Sequence, residues 1–239
     1  MVALRGGAVL PLAMCVGIAL AGCAGSTTKG VPTAAPHPPS AAAVRKVDVL
    51  RLADIKDEFP SGTVVNPLYG PRKLDAGQAE SAGDLVSYGE ALTVSPDPCG
   101  ALLKPVVARA GTETVSVTSA TGPQDPFIAV SVYDPVSVPV TIPESGCDRF
   151  TFVVETASPD GRAEQLAAPQ FDDAVTCALK VVFAVDSSSV EVPLVEYFYS
   201  AILDGRTFVN LWARVPSDFS AEPALPGLLT KAVNAIRDR

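Results

Sequence analysis

Tyr199-Ser200-Ala201-Ile202-Leu203-Asp204-Gly205-Arg206-Thr207-Phe208-Val209 sets Asp-Gly between two runs of apolar and aromatic residues, and this decides the fold class. Asp-Gly is the short-range signature of a two-residue type I′ hairpin, whose central residues both need positive φ. The flanking runs cover 190–203 and 206–215, enough for two long paired strands. With Leu203 opposite Arg206, one face carries Leu194, Phe198 and Ile202 against Val215, Leu211 and Thr207, with Val209 among them. That face is mostly apolar and belongs against a core. Glu196 shares it, either as a buried acid or, the plainer reading, at an edge with its carboxylate in water. The other face carries Tyr197 opposite Trp212, Tyr199 opposite Asn210 and Ala201 opposite Phe208, with Arg214 nearby. It reads as an aromatic surface set with hydrogen-bonding groups, the kind of wall that buries an apolar ligand while Asn210 and Arg214 orient it. A second hydrophobic layer is the plainer reading of the same residues. A slip of one residue would exchange the partners on these faces, so the assignment depends on the register.

Outward from the hairpin, strand signals dominate. Residues 114–119, 127–133, 150–155 and 178–185 are β-branched or aromatic runs bounded by Gly, Pro and Asp. Asp48 is a fitting N-cap for a short amphipathic helix with Val49, Leu52, Ile55 and Phe59, stopped by Pro60. A second helix closes the chain, beginning near Glu222 and Pro226 and carrying Leu225, Leu228, Leu229, Ala232 and Ile236 at three-to-four spacing. Residues 61–96 read as short strands and loops, and 99–107 as a short helix broken near Pro105. The whole predicts a single α+β domain over 47–239. Its sheet is mainly antiparallel, a meander that includes the 190–215 hairpin, packed by N- and C-terminal helices.

Ahead of the domain, Arg5 precedes a charge-free run over 6–21 that ends Leu20-Ala21-Gly22-Cys23. A short basic start, an apolar run under about 20 residues and a small-residue end make a secretory signal over 1–22. The last four residues resemble the lipobox of bacterial lipoproteins. The resemblance implies a lipidated Cys23 as the first mature residue, with acyl chains such as palmitate holding the protein on the membrane. Residues 23–46 form a tether rich in Ala, Pro and Ser, with Pro36-His37-Pro38-Pro39 at its middle. The signal holds one Arg and no acid, so 17 basic and 26 acidic residues remain, a mature charge of −9. No Lys/Arg block stands out, which argues against a nucleic-acid partner. The expected location is extracytoplasmic, anchored to the cell membrane through Cys23.

Cys99, Cys147 and Cys177 remain for the domain. In an oxidising compartment two of the three are expected to pair. Cys99 and Cys147 sit at loop edges where a bridge forms easily, whereas Cys177 lies in an apolar run and reads as a small buried hydrophobe.

The only histidine, His37, is in the tether. A Ser-His-Asp or Cys-His system therefore has no base, and histidine zinc sites are excluded. Cysteines lack CxxC spacing, glycines form no phosphate loop, and Asp172-Asp173 with Glu164 lacks the calcium-loop pattern and reads as a solvated turn. No catalytic residue, metal or cofactor is expected.

Residues 49–62, Asp97-Pro98-Cys99-Gly100-Ala101-Leu102, the 199–209 segment and Leu228-Leu229-Thr230-Lys231-Ala232-Val233 together resemble a group of mycobacterial-type lipoproteins that carry a domain of unknown function. More distantly the chain is similar to the extracellular sensor domain of a mycobacterial receptor Ser/Thr kinase. That resemblance implies an α+β, disulfide-bonded domain that holds a ligand in a cleft. Such domains usually carry two disulfides, and three cysteines allow only one here. The family brings no catalytic residues. The resulting expectation is a non-enzymatic envelope lipoprotein that binds or senses an apolar or amphipathic, lipid-like ligand. The alternative is a structural module that meets an envelope protein partner without a ligand cavity.

Overall fold

The computed structural model describes residues 46–120, 126–139, 141–143, 145–155, 160–183, 194–215 and 219–237. The signal, Cys23 and the tether with His37, apart from residue 46, lie outside them, as do residues 190–193 of the expected hairpin. Ten strands are described: β1 (Val64–Val65), β2 (Tyr69–Lys73), β3 (Leu92–Ser95), β4 (Glu113–Ala120), β5 (Phe127–Asp134), β6 (Arg149–Val154), β7 (Asp160–Gln165), β8 (Ala174–Phe183), β9 (Leu194–Leu203) and β10 (Thr207–Arg214). They form one antiparallel sheet in the order β1-β4-β5-β10-β9-β8-β7-β6-β3, with β2 also on the outer edge of β4. Strands β6 to β10 run as a meander. The expected α+β class with a mainly antiparallel sheet is the one observed.

Helices lie on both faces of this sheet. A 3₁₀ helix (Val49–Glu58) opens the domain, with the Asp48 carboxylate accepting from the Leu50 N–H at 3.1 Å as its N-cap. Helix α3 (Ala221–Ile236) closes it. Together they bury Leu52, Ile55, Leu225, Leu229 and Val233 on one sheet face, against Val130, Leu211 and Tyr199. The chain ends meet there, because the Asp48 N–H donates to Ile236 O at 2.8 Å and Val47 bridges Arg237. On the opposite face α1 (Ala76–Ser81) and α2 (Gly100–Leu103) cover a second core that holds Leu85, Leu102, Phe152, Leu179, Phe198 and Phe208. Both cores fall within one unit, residues 43–239.

The hairpin departs from expectation in its register. Arg206 N–H donates to Leu203 O at 3.0 Å, and Asp204 and Gly205 take φ of +50° and +66°, as Asp-Gly chemistry requires. The ladder begins one residue later, with Leu203 opposite Thr207, so three residues separate the strands. Tyr199 therefore faces Leu211, Phe198 faces Trp212, Ser200 faces Asn210 and Glu196 faces Arg214. Tyr197 and Tyr199 lie on the α3 side, whereas Phe208, Asn210, Trp212 and Arg214 lie on the other. The expected single aromatic face is thus divided between the two sides of the sheet. Tyr199 is fully buried in the α3 core, and burial, aided by Glu222, pushes its phenol up to about 12. Glu196 is also not an edge acid in water; its residue is only 2% exposed and is paired with Arg214 at 2.8 Å.

The Cys99–Cys147 disulfide is formed, with Cα atoms 5.6 Å apart, and Cys177 is free and buried. Burial pushes the Cys177 thiol up to about 12, which leaves it inert at neutral pH. Strand β7 was not expected. Asp160-Gly161-Arg162-Ala163-Glu164-Gln165 has low strand propensity but is held by β6 and β8 on either side. A Cβ on Gly161 would collide with the Phe152 ring, so the bare backbone is what lets that ring close the core.

Candidate functional site

On the sheet face opposite α3, a cleft of about 300 Å³ opens between the strands and the α1 side of the second core. Its floor alternates along the strands as pleating demands. Ala129, Ser131 and Tyr133 come from β5, Asn210 and Trp212 from β10, and Phe198 from β9. The rows across the sheet are matched in register: Ala129 with Trp212 and Phe198, then Ser131 with Asn210 and Ser200. Each β10 residue follows from the observed ladder, so the slip in the hairpin is what brings Trp212 beside Phe198.

Trp212 is held from several sides. Its Nε1–H donates to Glu196 Oε2 at 3.0 Å, and the Arg214 guanidinium lies 5.5 Å from its ring while donating to Glu196 Oε1 at 2.8 and 3.0 Å. The Phe127 ring meets it edge-on at 4.8 Å and Tyr88 at 6.5 Å. Glu196 and Arg214 are thus a positioning pair for the indole, and neither lines the cleft itself. Asn210, part of that floor, accepts from Ser200 Oγ at 2.9 Å through its side-chain oxygen.

The wall is built from a segment whose logic is local. Asp75 caps α1 in a capping box: Gln78 N–H donates to Asp75 Oδ1 at 2.8 Å and Asp75 N–H to Gln78 Oε1 at 3.2 Å. After α1 the chain turns around Asp84. That carboxylate accepts from the N–H groups of Val86, Ser87 and Gly89 and from the Ser87 hydroxyl, and pairs with Lys104 at 2.9 Å. Burial alone would raise its pKa, but these donors hold the carboxyl below the ordinary aspartate value. Leu85 N–H also donates to Leu103 O at 3.0 Å, fastening the wall to α2, which starts at the disulfide.

Arg72 completes the lining by way of a bulge. Tyr69 pairs with Ser116 and Arg72 with Thr114, so three steps along β2 match two along β4. The extra residue puts Tyr69 and Arg72 on one face, where regular alternation would part them. Gly70 permits it, with φ of +106° and a position where a Cβ would lie 2.7 Å from Thr114 O. The Arg72 guanidinium then stands 5.3 Å from the Tyr69 ring and at the cleft, and its buried Nε meets no hydrogen-bond partner among the described residues.

Of the residues expected at a ligand site, Asn210 and Trp212 line the cleft. Phe208 and Arg214 support it from the same face, Phe208 by stacking on Tyr133 at 6.1 Å. Tyr197 and Tyr199 are on the far side of the sheet. Cys23, the expected lipidation site, lies outside the described residues. Arg72, Asp84 and Tyr88 went unrecognised in the sequence. The Asp75-to-Gln78 capping box and the Gly70-Pro71 pair in the middle of a strand were the available signals. Among the described residues no cluster of three His, Cys, Asp or Glu is placed to hold a metal ion, and no helix is long and apolar enough to cross a membrane.

Residues 48–237 match the family described as Domain of unknown function (DUF5642). An uncharacterised protein of Mycobacterium smegmatis, the Rv0999 ortholog, has the same fold, with a TM-score of 0.59 at 22% identity over 82% of this chain and 100% of that one. The extracellular domain of PknH from Mycobacterium tuberculosis is a more distant match, with a TM-score of 0.35 at 10% identity over 76% of this chain and 96% of that one. No curated protein matches the chain.

Proposed function

The chain belongs to the DUF5642 family of unknown function, and from that premise we propose a lipid-anchored, extracytoplasmic and non-enzymatic protein that binds or senses a small amphipathic ligand. The observation that carries the reading is the cleft around Trp212. It sets indole, phenyl and aliphatic surface beside Asn210, Ser131 and Arg72 in a space at the lower end of ligand-pocket sizes. A cleft of that size suits a single acyl chain or a ring better than a diacyl lipid. Extracytoplasmic placement is supported by the disulfide, which persists in oxidising compartments, and by the Leu20-Ala21-Gly22-Cys23 segment. A binding role is supported by a cleft whose one buried carboxylate, Asp84, is already engaged by five donors. The only histidine of the chain is His37.

Trp212 is the single tryptophan, so its emission reports on the cleft directly. Titrating residues 43–239 with single-chain amphiphiles should shift or quench that emission saturably, and Trp212→Phe should lower affinity. An unmoved emission across charged and neutral amphiphiles, with no small molecule retained in native mass spectrometry, would sink the ligand reading in favour of a protein-interaction module. The anchor has its own test. Metabolic labelling with palmitate should mark the full chain and not a Cys23→Ser variant.

A further inference from the structure

The lining of the cleft is lopsided in charge. Arg72 and Asp84 are its two charged residues, and Asp84 is saturated by backbone N–H groups, the Ser87 hydroxyl and Lys104. Arg72 has no comparable set. Its Nε is buried without an acceptor among the described residues, and its Cζ lies over the Tyr69 ring. A buried donor without an acceptor is costly, and a guanidinium presents a fixed fork suited to two oxygens at once. The β2 bulge and Gly70 spend regular pairing and backbone freedom on aiming this one side chain at the floor that holds Tyr133, Ser131 and Asn210.

Resting on the ligand-binding reading above, we propose that Arg72 is the anchor of the cleft's ligand, which is an amphiphile with a terminal carboxylate or phosphate. The anion takes the guanidinium fork at the β2 end of the cleft. The apolar part extends along Leu85, Phe198 and Trp212. Both anionic groups offer the paired oxygens that arginine binds in bidentate fashion, whereas a hydroxyl offers one and a quaternary ammonium none.

The test uses four twelve-carbon probes below their micelle concentrations: dodecanoate, dodecyl phosphate, dodecanol and dodecyltrimethylammonium, each titrated against Trp212 emission of residues 43–239. The two anions should bind at least tenfold more tightly than dodecanol, and the cation least. Arg72→Gln should weaken the anions roughly ten- to hundredfold, the range of one charge-assisted bond, while dodecanol stays within about twofold. The better anion identifies the headgroup class. If dodecanol matches the anions, or Arg72→Gln leaves them unchanged while Trp212 still responds, the anchor is wrong and the ligand cleft survives. If no probe moves Trp212, both fall. Should Arg72→Gln fail to fold, the ranking of the four probes on the unaltered protein decides alone.

Discussion

Gly83→Ala should destabilise the domain and loosen the cleft wall together. Gly83 lies where the chain leaves α1 and passes against the segment after α2. An added Cβ would sit 2.8 Å from the Val106 carbonyl carbon and nearer still to its oxygen. Carbon atoms settle at about 3.5–4.0 Å, so two backbone segments must part by roughly 1 Å. Inserting one methyl into tight packing costs about 1–3 kcal/mol, and here the obstacle is backbone, which cannot swing aside. Stretching the Leu85-to-Leu103 hydrogen bond adds about 1 kcal/mol. The lost flexibility of the unfolded chain returns about 0.4–1 kcal/mol. The net expectation is a loss of about 2–3 kcal/mol, read by urea unfolding followed through Trp212. Gly77→Ala, six residues earlier, is the control. Its Cβ would meet only Asp75 Oδ1 at 3.7 Å inside α1, so the helix should gain about 0.5–1 kcal/mol. Opposite signs at these two glycines are required. A Gly83→Ala protein as stable as the unaltered one, with the same amphiphile affinity, would refute the close approach on which the wall depends.

The remaining expectations are briefer. Replacing Cys99 and Cys147 together by Ser opens a loop of 48 residues, for which the chain-entropy model gives a loss of about 4 kcal/mol; urea unfolding should also show a steeper slope as the unfolded chain expands. Asp84→Asn should cost about 1–3 kcal/mol at neutral pH. Because the folded Asp84 carboxyl is held below its ordinary value, its contribution is complete above about pH 4 and is lost as pH falls through the depressed value, so the gap between variant and parent should close in acid. Cys177 should ignore a thiol reagent at pH 8 in the folded protein and react fully in denaturant, given a thiol raised to about 12 by burial.

How far the sequence reached depends on which signals are local. The Asp204-Gly205 turn, the Asp48 cap and the spacing of Leu225, Leu229 and Ile236 are fixed by neighbouring residues, and all were legible. The register of β9 on β10 was not. Both strands are apolar on both faces because each face covers a core, so period-two alternation could not choose between a two- and a three-residue loop. Strand β7 exists because β6 and β8 flank it, a condition its own six residues do not record. Arg72 escaped for a related reason. A bulge cancels alternation, and only the long-range pairing with β4 reveals which way the side chain points. Two of the six expected contact residues, Tyr197 and Tyr199, were put on the wrong side of the sheet by the same slip that set Trp212 in the cleft.

The union of Asp48 with Ile236 and of Val47 with Arg237 brings the two ends of the domain to one place, beside the helical face and behind the sheet from the cleft. A short linker from 237 back to 47 would therefore join them with little distortion, and the exposed Asp204-Gly205-Arg206 turn offers a place to cut the chain anew. Such a circularly permuted protein should keep its fold. For the same reason a fusion or a surface coupling at either end leaves the Trp212 side open to solvent, so the domain can be immobilised by its back and offered ligand from the front.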